Sequence, residues 1–182
     1  MEIRILEKEK WKGYMLDMSY TSEHYYDYNR IDSVLGWCFL FLKCSFSTPF
    51  HNPDHQSDCL YSDDWKDAIA YGAFEGDTLI GAIETCPEWN HRLRVTEMWV
   101  DSRHRRKGVG SALMEHVKQI ALEEGRRALV LETQSRNFGA IEFYLSQGYT
   151  MIGFDECCYS NNDMEKEGMR IEMGMKLTAR NL

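Results

Sequence analysis

Apolar residues recur along this chain with two different periods. Near the start, Ile3 and Ile5 alternate with polar neighbours across Met1–Glu7, the pattern of a strand with one buried face. Ala68–Phe74 and Thr78–Thr85 read as further strands, and Gly76–Asp77 supplies a hairpin turn between them. Leu93–Val100 reads as a third of this antiparallel series. Then the period lengthens. Val109, Leu113, Val117, Ile120 and Ala121 fall on one stripe, which predicts a helix from Gly108 to about Glu124, stopped by Gly125 just past its end. Ala128–Glu132 is a short unbroken apolar run, as expected of a buried parallel strand. A second helix is expected over about Asn137–Gln147, ending at Gly148, with strands at Tyr149–Phe154 and Ile171–Leu177.

Residues about 10–70 keep neither period cleanly. Rich in Tyr, Trp and Phe, they read as two helical stretches and then a long polar loop, Ser45–Asp64, which carries Pro49 and Pro53. Tyr25, Tyr26, Tyr28, Trp37, Phe39 and Phe41 are expected to pack as core or lid. The predicted order is strand, helical region, three antiparallel strands, helix, strand, helix and two strands. This is an α/β (α+β) class with a mixed sheet of about seven strands flanked by helices.

Composition narrows the reading. With 182 residues, 43% hydrophobic and 27% charged, the chain can bury one core without a disulfide or metal staple, so a single domain over 1–182 is expected. A net charge of −8 repels a nucleic-acid backbone and suits a cationic substrate. The longest apolar run, Val34 to Leu42, is too short for a membrane span and too far along the chain for a signal peptide. No membrane association and a cytoplasmic location are therefore expected. Six cysteines occur without a C-x-x-C pair, which suits reduced thiols. His51, His55 and Cys59 recur every four residues, but Pro53 would break a helix there, so no metal site is expected. Asp58, Asp63, Asp64 and Asp67 read as a solvated loop face.

The stretch with the most chemistry is Arg103–Ser111, between a predicted strand and a predicted helix. Gly108 and Gly110 let the backbone turn so that successive N–H groups can address one anion. The positive helix end and the side chains of Arg105, Arg106 and Lys107 add to the attraction, which suits a pyrophosphate. The spacing is neither that of a P-loop nor G-x-G-x-x-G.

Arg105-x-x-Gly108-x-Gly110, following Val95–Val100, resembles the acyl-CoA pyrophosphate motif of the GNAT acetyltransferases. Leu131–Gln134, Asn137, Ala140 and Phe143-Tyr144-x-x-x-Gly148-Tyr149 are similar to that superfamily's second cofactor-contacting strand and helix. The resemblance covers about 67–177 and implies a GNAT-type domain with a splayed cofactor cleft, preceded by a substrate-shaping region over about 8–66. Leu131-Glu-Thr-Gln134, Asn137 and Gly153-Phe-Asp155 leading to Tyr159 also resemble the streptothricin acetyltransferases, which acetylate a β-lysyl amine of a cationic antibiotic.

The resemblance implies acetyl-CoA as co-substrate and a small-molecule amine as acceptor. It implies contacts to the cofactor from Met98, Trp99, Val100, Arg105, Arg106, Lys107, Gly108, Val109, Gly110, Ser111, Asn137, Ala140 and Tyr144. Glu97 is the candidate base and Tyr144 the candidate acid toward the departing thiolate. Main-chain N–H groups of Trp99 and Val100 are the expected donors to the thioester carbonyl. Asn137 is expected to bind the pantetheine arm or to cap its helix. Homodimers are common in the superfamily, which leaves a homodimer open. Protein or peptide N-acetylation and a non-catalytic acyl-CoA-binding regulatory domain are the alternative readings.

Overall fold

The computed structural model describes residues 1–53, 58–163 and 168–177. Its strands are β1 (Glu2–Leu6), β2 (Tyr20–Ser33), β3 (Gly36–Asn52), β4 (Ile69–Glu75), β5 (Thr78–Pro87), β6 (Arg92–Val100), β7 (Ala128–Gln134), β8 (Thr150–Asp155) and β9 (Arg170–Lys176). The α-helices are α1 (Lys8–Trp11), α2 (Val109–Glu123) and α3 (Phe138–Ser146), with a 3-10 turn at Ser102–His104. Seven strands form one mixed sheet in the order β1-β4-β5-β6-β7-β9-β8, and β2 and β3 pair separately. From residue 68 onward every predicted strand and helix forms within two residues of its expected limits. No helix among the described residues is long and apolar enough to cross a membrane.

The described residues pack as two compact units, one of residues 1–18, 58–131 and 174–177, the other of residues 19–53, 132–163 and 168–173. In the first, β1, β4, β5 and β6 form an antiparallel ladder, and β7 joins β6 in parallel. One core cluster holds Leu6, Leu16, Leu60, Tyr61, Ala68, Ala70, Phe74 and Ala82, with Trp99 against it. Helix α2 buries Val109, Leu113, Met114, Val117 and Ala121, the stripe that its periodicity requires. Gly81 on β5 is where the helix comes close. A Cβ there would lie 2.8 Å from Val109 Cγ1 and 3.1 Å from Leu113 Cδ1. Gly125, with φ +66°, ends α2 while Arg126 N–H donates to Ala121 O and Gly125 N–H to Leu122 O, the double bond of a Schellman stop.

The second unit corrects the reading of the aromatic region. Instead of two helices, residues 20–52 form one antiparallel hairpin, and the segment expected to loop from Ser45 is strand as far as Asn52. Tyr28, Phe39 and Phe41 surround Phe154, with ring centroids 5.0–5.8 Å from it. Tyr26 Oη donates to Glu142 Oε1 at 3.0 Å, and Tyr20 Oη to Gln134 Oε1 at 2.9 Å. Pro49 is accommodated because the ladder is irregular there, between the pairs Ser22↔Phe50 and His24↔Ser45, where no strand donor is needed.

Candidate functional site

Strand β6 is paired on one side along most of its length, but on the other side for only three residues. Its parallel register with β7 consists of Arg92↔Ala128, Leu93↔Leu129 and Arg94↔Val130. On the β5 side the register slips between Glu84 and Thr85, so Thr96 is an extra residue in β6, a bulge of the kind that bends a strand and ends pairing. Beyond it, Asp101 N–H donates to Ile80 O at 3.0 Å. Antiparallel ladders alternate, so Trp99 N–H also turns toward β5, while the N–H and C=O groups of Met98 and Val100 turn to the side where β7 no longer pairs. Of the two donors expected from the sequence, Val100 has the open orientation and Trp99 does not. Met98 shares the orientation of Val100.

Immediately after β6 comes the glycine turn. Asp101 accepts from Arg103 N–H at 3.1 Å and from Arg103 Nε at 3.1 Å, and pairs with His104 Nδ1 at 2.8 Å. The bonds from Arg103 and then His104 hold the Asp101 carboxyl down at about 2. Arg105 Nε donates to Val100 O at 3.1 Å, tying the turn back to the strand. Two residues in the turn have positive φ, Arg106 at 60° and Gly108 at 87°. Gly108 is the N-cap of α2, and the first helical bond runs from Ala112 N–H to Gly108 O at 3.0 Å. The N–H groups of Val109, Gly110 and Ser111 therefore occupy the first turn, where a helix offers no acceptor of its own. The side chains of Arg105, Arg106 and Lys107 are exposed beside them. This combination of main-chain donors and exposed cations suits a doubly charged phosphate group.

Glu97 is half-buried and lies directly across the ladder from Glu84, which is fully buried. Glu84 Oε2 accepts from Tyr61 N–H at 2.5 Å and Oε1 from Thr96 Oγ1 at 2.8 Å. Cys59 lies close by. Burial raises its thiol pKa, and the carboxyls of Glu97 and Glu84 add to the rise. The 58–61 segment is itself pinned by Leu16 N–H to Asp58 O at 2.9 Å and Leu60 N–H to Tyr14 O at 3.0 Å. The sequence reading missed Glu84, Thr96 and the 58–61 segment. The available signal was an acid in the apolar run Leu79–Ile83-Glu84, which a buried strand carries only when the acid is hydrogen-bonded.

In the second unit, Asn137 is the N-cap of α3 and its Oδ1 accepts from Ala140 N–H at 3.1 Å. Tyr144 is buried on that helix, its ring 5.4 Å from Phe143 and 6.1 Å from Tyr149. Burial drives the Tyr149 phenol far above its ordinary range, and its hydroxyl has no hydrogen-bond partner. Among the described residues no group of His, Cys, Asp and Glu could hold a metal. His51 pairs instead with Thr21 Oγ1 at 3.2 Å, and His55 lies outside the described residues.

Residues 18–149 match the model of the Acetyltransferase (GNAT) family, and the chain belongs to that family. Its seven-stranded mixed sheet with helices is the GNAT fold. Streptothricin acetyltransferase of Escherichia coli is 35% identical over 106 residues, which cover 58% of this chain and 61% of that protein. The match therefore spans less than two thirds of that relative. Nourseothricin acetyltransferase superposes with a TM-score of 0.78 at 25% identity, over 97% of this chain and 98% of its own. A candidate streptothricin acetyltransferase from Bacillus anthracis strain Ames, solved in complex with acetyl coenzyme A, superposes with a TM-score of 0.77 at 23% identity, over 97% and 99%.

Proposed function

We propose that this chain is an acetyl-CoA-dependent N-acetyltransferase whose acceptor is a primary amine of a small cationic molecule of the streptothricin class. One observation carries the reading: β6 loses its β7 partner after three residue pairs and runs directly into the Arg105–Ser111 turn. An extended amide chain ending in a diphosphate matches that sequence of main-chain groups and cations. The likeness to streptothricin and nourseothricin acetyltransferases supports the acceptor class. The net charge of −8 favours a cationic acceptor as well.

The thioester supplies a carbonyl carbon open to attack by an amine. An alkyl ammonium, with a pKa near ~10.4, must first give up a proton. Glu97 is assigned as the acceptor of that proton, directly or through one water. Met98 and Val100 N–H groups are assigned to the thioester carbonyl oxygen, where charge gathers as the C–N bond forms. As the C–S bond breaks, Tyr144 is assigned as proton donor to the sulfur. The Arg105–Lys107 side chains and the N–H groups of Val109, Gly110 and Ser111 are assigned to the diphosphate, and Asn137 and Ala140 to the pantetheine arm. Residues 8–66 are assigned to shaping the acceptor site. An aromatic hairpin in place of the expected helices gives that region rings that can face a cation.

The test is thiol release by purified protein supplied with acetyl-CoA and a panel of amines: a β-lysyl antibiotic, an aminoglycoside, a polyamine and a peptide with a free N-terminus. Turnover is expected with the first. Glu97→Gln should lower it by about 10²–10⁴-fold with CoA binding retained in calorimetry. Acetylation of the peptide alone would replace the small-molecule reading, and absence of CoA binding would end the enzymatic one.

A further inference from the structure

A carboxyl in the middle of a buried strand is costly unless it does something that an apolar residue could not. Glu84 is such a residue. It is 0% exposed, follows Leu79, Ile80, Ala82 and Ile83 on β5, and both of its oxygens accept donors, Tyr61 N–H and Thr96 Oγ1. Thr96 is the bulge residue, so one Glu84 oxygen is anchored to the feature that separates β6 from its regular course. The other holds Tyr61, whose φ of 58° is unusual for a residue other than glycine. Directly opposite on the same face of the ladder stands Glu97. Cross-strand partners have Cβ atoms about 4.5–5.5 Å apart, so two carboxyl groups share one small region.

We infer that Glu84 is a positioning residue for the transfer reaction proposed above, a buried and fixed carboxylate whose charge and hydrogen bonds hold the neighbouring Glu97 ready to accept a proton. The inference rests on the assignment of Glu97 as base. Its physical content is like-charge coupling: a second negative charge at this range disfavours the ionised form of its neighbour and so makes it a stronger base. Cys59, on the adjoining segment, feels the charges of both Glu97 and Glu84. Asp63, which also acts on Cys59, is paired with Lys12 at 2.6 Å, and Arg94 is paired with Glu88, Nε to Oε1 2.7 Å.

Glu84→Gln separates charge from packing. The amide oxygen can still accept from Tyr61, and the amide nitrogen can donate to Thr96, so volume and hydrogen bonds are conserved. The pH profile of kcat/KM is measured for wild type, Glu84→Gln and Glu97→Gln. In Glu84→Gln the acid limb should move to lower pH by about 1 unit, and the plateau should fall several-fold, as expected when a base weakens. An unmoved limb at normal CoA affinity overturns the inference and leaves the function intact. An unchanged kcat/KM in Glu97→Gln removes the function's base instead. A measurement without variants decides the case in which Glu84→Gln fails to fold or wild type shows no turnover: the 13C titration of side-chain carboxyls in the intact protein. Glu97 should titrate in two coupled steps rather than one. A single step at Glu97 refutes the coupling.

Discussion

Arg105 Nε donates to the main-chain carbonyl of Val100 at 3.1 Å, so a side chain of the glycine turn is bonded to the last residue of the strand that enters it. The contact links two parts of the proposed cofactor site, and Arg105 carries charge as well. Arg105→Ala is expected to weaken CoA binding by about tenfold, and Arg105→Lys by less, because the charge survives while the planar donor is lost. Calorimetry at two salt concentrations checks this, since part of the effect should shrink as salt screens the charge.

Gly81 sets the spacing of α2 above β5. A methyl group there would sit 2.8 Å from Val109 Cγ1 and 3.2 Å from Trp99 O, with main chain on one side unable to yield. Gly81→Ala should destabilise by about 1–3 kcal/mol through overpacking. In a protein of this size each kcal/mol corresponds to a melting shift of roughly 2–4 °C, readable by thermal denaturation.

Asp101 makes the beginning of the turn acid-sensitive. Its folded pKa of about 2 lies below its ordinary 3.8, lowered by hydrogen bonds from Arg103 and then His104. A depressed carboxyl pKa contributes stability that is present above the unfolded value and lost as pH falls through the folded one. Stability should therefore decline between about pH 4 and 2. Asp101→Asn should show a smaller decline over that interval in urea titrations at each pH. Equal slopes for the two proteins would count against the assignment.

Asn137 can be dissected by two substitutions. Asn137→Ala removes the acceptor for Ala140 N–H and should cost about 1 kcal/mol. Asn137→Asp keeps the acceptor and should recover that stability. If Asp restores the melting temperature while CoA affinity stays low, the Asn137 amide also serves the pantetheine arm; full recovery of both limits it to the cap.

The legible and illegible parts of this fold differ for a physical reason. From residue 68 to 154 the pattern is legible because the central strands β4, β5 and β7 are near-continuous buried apolar runs and helix α2 shows one stripe to the core: Val109, Leu113 and Val117 line up, and Gly125 stops the helix with two main-chain bonds. Residues 20–52 gave a wrong answer because the hairpin carries apolar side chains on both faces. Phe39 and Phe41 pack around Phe154, while Ile31, Leu40 and Leu42, on the opposite face, are exposed, so no period of two survives. The glycine turn was readable because glycines and cations are local. The orientation of Trp99 was not, since it depends on which ladder partner its N–H meets. Glu84 was overlooked because its role depends on Thr96, twelve positions further along on the neighbouring strand, and on the main chain of Tyr61.

The three-pair register between β6 and β7 has a consequence for how such a protein can change. What meets the gap there is peptide backbone, which every residue except proline presents alike. Drift at positions 98 and 100 can therefore exchange one side chain for another without withdrawing the groups that a visiting amide would find. Replacing either Met98 or Val100 by proline is the kind of change that takes one away.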